Sequence, residues 1–128
     1  MIHIPFLEIA EDLEIAGLIW QPEVGDEISS RERRGDLSIL IDSQGLTPKE
    51  LRETYLWLPT VEQLMRQFEA RQAILHHAGL ELSERALHYK TVVKLRGQNV
   101  EAVGESLRTA LGAALRSVLL ESNPNSVN

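Results

Sequence analysis

Cysteine is absent from the 128 residues, which excludes thiol nucleophiles, disulfide frameworks, redox pairs and structural zinc sites built on thiolates. No secretory signal is readable either: Met1-Ile2-His3-Ile4-Pro5 carries no basic stretch and is followed at once by Glu8, Glu11 and Asp12, so none is expected. No apolar run approaches the roughly 20 residues that span a bilayer. A cytoplasmic chain with no membrane partner is the resulting expectation. Positive charge is in deficit, with 13 Lys and Arg against 19 Asp and Glu and a net charge of −6. That balance opposes long-range attraction to phosphate backbones, so a nucleic-acid partner is not expected. The sequence also has no Gly-x-Ser-x-Gly elbow, P-loop, Gly-x-Gly-x-x-Gly fingerprint or EF-hand loop. No catalytic residue, metal ligand or cofactor is assigned on motif grounds.

What is present is the composition of a folded core, 43% hydrophobic and 25% charged, far from that of a disordered chain. Phe6, Ile9, Ala10, Leu13 and Ala16 fall on one face of a short helix over Phe6 to Gly17, and Ile15, Leu18, Ile19 and Trp20 read as a following strand. Gln21 to Asp26 is a turn, Glu27 and Ile28 open a short strand, and Ser29 to Asp36 is a polar loop. Leu37 to Ile41 reads as a buried strand. Thr47, Pro48 and Glu50 form a capping box, with Leu46 placed to staple onto Leu51, so a helix starts here with Leu51, Tyr55 and Leu58 inward. Pro59 ends or kinks it, and Thr60 with Gln63 opens a second helix through Val61, Leu64, Met65, Phe68, Gln72 and Leu75 to Gly79. His88 to Arg96 alternates as a strand, and Gly97-Gln98-Asn99 is expected to turn into a final helix carrying Val100, Val103, Leu107, Leu111, Leu115 and Val118 on one face. The whole is an α+β fold: a small, mostly antiparallel sheet packed by about three helices, strand order open, with residues 1–121 as one domain and 122–128 as a frayed tail.

Two basic clusters are the candidate interaction surface. Arg31, Arg33 and Arg34 lie in the polar loop, where guanidinium groups could grip phosphate or carboxylates, and Lys90, Lys94 and Arg96 line the wet face of the late strand with His88. No aromatic residue is interleaved in that stripe as a stacking platform for single strands would require. His76, His77 and His88 raise the question of a metal, but adjacent residues point about 100° apart on a helix, so the first two cannot share a helical site. Glu23, Asp26, Glu27, Asp36 and Asp42 cluster around the first strands without a spacing that selects a pair. Gly104, Ala110, Gly112, Ala113 and Ala114 let another backbone approach closely, from the same chain or from a second subunit. Ala102, Leu119 and Leu120 fall off the main apolar face of the final helix, and so offer surface to a homodimer.

The segment Tyr55-Leu56-Trp57-Leu58-Pro59-Thr60-Val61-Glu62-Gln63-Leu64 resembles a Trp-Leu-Pro-Thr-x-x-Gln-Leu box of small uncharacterised bacterial proteins. The resemblance implies a bacterial source and carries over no catalytic residue or substrate. Three function classes follow: an interaction or adaptor module, self-associating through the final helix or an exposed sheet edge; a small-molecule enzyme whose site is assembled by tertiary folding; and a nucleic-acid binder using the basic clusters.

Overall fold

The computed structural model describes residues 5–83 and 86–122. The chain begins with α1 (Pro5–Ile15). Gly17, at φ 108°, ends the helical turn: its N–H bonds the Glu14 carbonyl while the Leu18 N–H reaches the Leu13 carbonyl. This double closure needs a left-handed residue, which glycine supplies at no steric cost. Leu18 and Trp20 are buried beyond it, with Ile19 exposed between them. The burial alternates as in a strand, but no strand among the described residues pairs with the segment, and the strand expected there is not formed.

A first antiparallel sheet joins β1 (Glu27–Ser30), β2 (Leu37–Ile39) and β3 (Tyr55–Trp57) in the order β2-β1-β3. The apolar run at β2 is not buried as expected. It is an edge, with Leu37, Ile39 and Ile41 exposed and Leu40 alone turned inward. α2 (Pro48–Thr54) starts at the expected box, where the Thr47 hydroxyl accepts from the Glu50 N–H at 3.2 Å and the Glu50 carboxylate accepts from the Thr47 N–H at 2.9 Å. It stops before Tyr55, which is extended at φ −126° and ψ 148°. Tyr55, Leu56 and Trp57 pair with Ser30, Ser29 and Ile28. Tertiary pairing of β-favouring aromatics thus overrides the helical spacing of Leu51, Tyr55 and Leu58.

Pro59 turns the chain into α3 (Val61–Ala70), capped by the reciprocal Thr60 and Gln63 bonds at 3.2 and 2.9 Å. This helix ends nine residues before the expected Gly79. Gln72, left-handed at φ 58°, makes the closure instead, with the Ala73 N–H on the Phe68 carbonyl at 3.0 Å. From there β4 (Ile74–Ser83), β5 (Ala86–Leu95) and β6 (Gln98–Gly104) form a second antiparallel sheet in that order. His76 and His77 therefore lie on a strand and not at a helix end. Arg96 and Gly97, at φ 53° and 82°, join Leu95 to Gln98 in a two-residue hairpin turn. Val100 and Val103 accordingly belong to a strand, and the final helix begins only at α4 (Leu107–Ser122). The described residues form four helices and two sheets where about three helices and one sheet were expected; the α+β class stands. Residues 123–128 of the expected tail lie outside the described residues.

The main core gathers α1, β3, α3, the second sheet and α4, with Leu13, Leu64, Phe68, Val93, Leu111, Leu115 and Val118 fully or almost fully buried. A smaller cluster of Trp20, Ile28, Leu40 and Leu51 lies on the first sheet. The small residues of α4 serve packing within the chain: a Cβ on Gly112 would stand 2.5 Å from Ile9 Cγ2 and 3.0 Å from Phe6 Cε1. Leu119 is buried, and Ala102 and Leu120 pack on the core. The surface assigned to them for a partner is therefore occupied by the protein itself. Arg108 clamps the corner after β3, donating to the Leu58 and Pro59 carbonyls at 2.5 and 2.8 Å. No helix among the described residues is long and apolar enough to cross a membrane.

Candidate functional site

The two basic clusters sit on different sheets and do not form one surface. Arg31 and Arg34 are braced against α1: Arg31 pairs with Glu14 and donates through Nε to the Arg52 carbonyl at 2.9 Å, and Arg34 grips Glu11 in two bonds of 2.8 and 3.1 Å. Arg34 beside Glu11 holds that carboxyl below the usual carboxylate range. The loop itself is fixed by serines, with Ser29 Oγ accepting from the Gly35 N–H at 3.2 Å and Ser30 Oγ from the Arg33 N–H at 3.1 Å. Two of the three guanidinium groups are thus neutralised in place, and Arg33 is left exposed. On β5, Lys90 Nζ lies 2.9 Å from Glu101 and 3.8 Å from Glu81, and the Glu101 contact raises its pKa. Lys94 and Arg96 are exposed, Arg96 in the hairpin turn. Of the six cations, Arg31, Arg34 and Lys90 are matched by carboxylates, and Arg33 stands apart from Lys94 and Arg96, which belong to the other sheet.

The histidines and acidic residues do not converge. His76 stands at an irregularity of β4 between Leu75 and His77, and His88 faces Glu81 across the β4–β5 pairing with 3.7 Å between the imidazole and the carboxylate. No group of three His, Asp or Glu among the described residues is placed to hold a metal ion. Asp42 is exposed and accepts the Gln44 N–H at 2.8 Å, an ordinary turn bond.

Asp26 is the acidic residue whose role its spacing gave no sign of. It is buried, and its carboxylate accepts from Trp20 Nε1 at 2.8 Å, the Glu23 N–H at 3.0 Å and Gln63 Nε2 at 2.8 Å. A carboxylate with three donors from three segments is a structural hub, since each bond to a charged acceptor is worth about 1.5–3 kcal/mol. Beside it runs an open cleft of about 160 Å³ lined by Gln21, Glu23, Asp26, Trp57, Gln63 and Arg66 among others. Trp57 Nε1 is buried without an acceptor among the described residues. Gln63 does two jobs, capping α3 and reaching Asp26, and the first alone was readable.

The least expected feature is apolar. On β5, Tyr89, Thr91, Val93 and Leu95 share the face turned to α4, and their pairing partners place Ala78, Leu80 and Leu82 of β4 on the same face. α4 packs along β6 and β5 and reaches β4 only lightly. The tip of the hairpin consequently extends beyond its helical cover, and Leu80, Leu82 and Leu87 are 57%, 74% and 65% exposed. A second open patch, a cleft of about 310 Å³, lies between Glu14, Leu18, Ile19, Trp20 and Arg52.

This combination of four helices and two small antiparallel sheets defines a mixed α+β protein. No family model, curated protein or solved structure matches the chain.

Proposed function

We propose that the chain is an interaction module, without catalytic chemistry of its own, that associates with a second copy of itself through the open β4 edge and bare hairpin tip of the β4-β5-β6 sheet. The supporting observation is the conjunction of three exposed leucines with a strand edge that no other strand among the described residues pairs with. Burying a leucine fully is worth about 1.5–3 kcal/mol, and a chain that keeps three of them wet on one face gains by covering them. The pairing of Arg31 with Glu14 and of Arg34 with Glu11 favours this reading over nucleic-acid binding.

Light scattering after gel filtration tests it. The expected mass across a wide concentration range is twice the 14.4 kDa of one chain; the mass of a single chain at the highest concentration would overturn the proposal. A second reading, binding of a small polar ligand in the cleft beside Asp26, draws on the unpaired Trp57 indole N–H. A thermal-shift screen with nucleotides, metals and metabolites tests that reading, because a ligand bound only by the folded state raises its apparent stability. No shift with any of them would count against it.

A further inference from the structure

Resting on that self-association, we propose that two copies join β4 to β4 in antiparallel fashion about a twofold axis through Gly79, making one continuous six-stranded sheet. The second sheet has two edges. β6 is 7 residues long and lies under α4, whereas β4 is 10 residues long and only lightly touched by helices. Natural edge strands are guarded by brevity, lysine, proline or a bulge. β4 has no lysine or proline, and its one irregularity lies at its root, between Leu75 and His77. From His77 onward the edge is regular.

Self-pairing fixes the register. In a twofold antiparallel pair, residues equidistant from the axis face each other, and facing residues must lie on the same side of the sheet. Ala78 and Leu80 share the side turned to α4, opposite Thr91 and Tyr89, while His77 and Glu81 share the other side, opposite Val92 and His88. An axis at Gly79 sets Ala78 against the partner's Leu80 and His77 against the partner's Glu81, each contact made twice. Moving the axis to Leu80 puts Glu81 opposite a glycine, and moving it to Ala78 does the same to His77. Gly79 is the centre that matches imidazole to carboxylate. It is also the residue on the axis itself, where glycine tolerates the close approach of another backbone.

The same geometry accounts for the exposed leucines. Antiparallel pairing brings the tip of each hairpin to the root of the partner's β4, with Ser83 opposite the partner's Leu75. In that register Leu80 faces the partner's Ala78 and Leu82 faces the partner's His76, so both enter the joint, while Leu87, one strand farther in, borders it.

Single-cysteine cross-linking tests the register, and the chain brings no cysteine of its own to confuse it. A Cβ at Gly79 would meet only His77 Cε1 and Nε2, at 3.5 and 3.8 Å, which are ordinary contacts, so Gly79→Cys fits the fold. Residues facing across an antiparallel pair have Cα atoms about 4.5–5.5 Å apart, within the span of a disulfide. Mild oxidation of Gly79→Cys is expected to give a covalent dimer, while Ile74→Cys, which does not face itself, stays monomeric on a denaturing gel. Glu81→Cys is expected to cross-link to His77→Cys when the two are mixed, and not to itself. Leu80→Lys, a charge set in the joint, is expected to reduce the scattering mass to that of one chain, with circular dichroism confirming that each variant is folded. If the unaltered chain is a dimer and Gly79→Cys fails to cross-link, or Ile74→Cys cross-links equally well, this pairing is wrong while the module reading survives. If the unaltered chain is a monomer, both fall.

Discussion

The β2-β1-β3 sheet has strands of 3 or 4 residues and is tied by polar side chains, whereas the β4-β5-β6 sheet has strands of 7 to 10 and rests on one helix through apolar contact. In the first, the Asp26 carboxylate, two capping boxes and the Arg31 and Arg34 bridges to α1 hold short pieces of chain that could not pair stably alone. In the second, Val93 and Leu95 press on Leu111, Leu115 and Val118, and little else is needed. The difference is one of location as well as chemistry. Polar fastening holds the short strands of the first sheet in place but leaves Leu37 and Ile39 of its β2 edge exposed, whereas a single covering helix protects only the part of a long sheet beneath it. The open edge and the bare hairpin tip both follow from a helix of 16 residues lying over the two strands farther from β4.

The largest expected effect tests the apolar half of this contrast. Leu115 is fully buried, and Leu115→Ala is expected to cost about 3 kcal/mol, as the lost transfer energy and the remaining cavity add. Leu82→Ala, on the same sheet but exposed, is expected to leave monomer stability unchanged within about 0.5 kcal/mol. Urea unfolding of both variants, at a concentration low enough to keep the chain monomeric, measures the pair. Equal losses would mean that the hairpin tip is already covered in the single chain, and the contrast would break there.

Next comes the polar half. Asp26→Ala strands the Trp20 indole N–H, the Glu23 N–H and the Gln63 amide, and the expected loss is about 2–3 kcal/mol. Tryptophan fluorescence reports it directly, because Trp20 is one of the three donors. A loss under about 0.5 kcal/mol would show that water replaces the carboxylate without cost and that the first sheet is not held by its hub.

Much of this architecture was legible, and the failures have a common cause. The boxes at Thr47 and Thr60 were readable because capping is a contact between residues three apart, and the pattern on β5 because alternation is local. The helix read through Tyr55 and Leu58, the one read to Gly79 and the one started at Val100 all fail at ends decided elsewhere. Tyr55 is extended because β1 is there to pair with it, and Gln72 closes α3 although nothing in its chemistry marks a left-handed position. Arg34 and Arg31 were identified as residues but not as partners of Glu11 and Glu14, which lie 23 and 17 residues away. Asp26 looked like any other turn aspartate, since its burial depends on Gln63, 37 positions later. Leu80 to Leu87 read equally as a short strand or a turn, and neither reading says how far a covering helix extends, so the exposure of Leu80 and Leu82 was not legible.

A smaller effect separates fastening from burial within the first sheet. Thr60→Ala removes one cap of α3 and is expected to cost about 1 kcal/mol. Gln63 should then be freer at its capping end while still reaching Asp26. In the double variant with Asp26→Ala the two losses are expected not to add, because Gln63 takes part in both contacts. Additive losses, measured by a double-mutant cycle, would show the cap and the hub to be independent.

The smallest effect concerns pH and the loop braces. Arg34 holds the Glu11 carboxyl below its usual range, chiefly through their hydrogen bonds. A group whose folded pKa is depressed contributes its stability above the unfolded pKa, near 4.3 for Glu, and loses it as pH falls through the lower folded value. Glu11→Gln is therefore expected to be slightly less stable than the unaltered chain at neutral pH, with the gap closing as the solution is acidified past that range. Because the pair is largely exposed, added salt should narrow the same gap at neutral pH. The Leu115→Ala loss has no such dependence, since no charge is created or removed at Leu115. Parallel denaturation series over pH for the two variants give the comparison its sharpest form: a sloping difference for the residue that braces the first sheet's loop, and a flat one for the residue beneath the second.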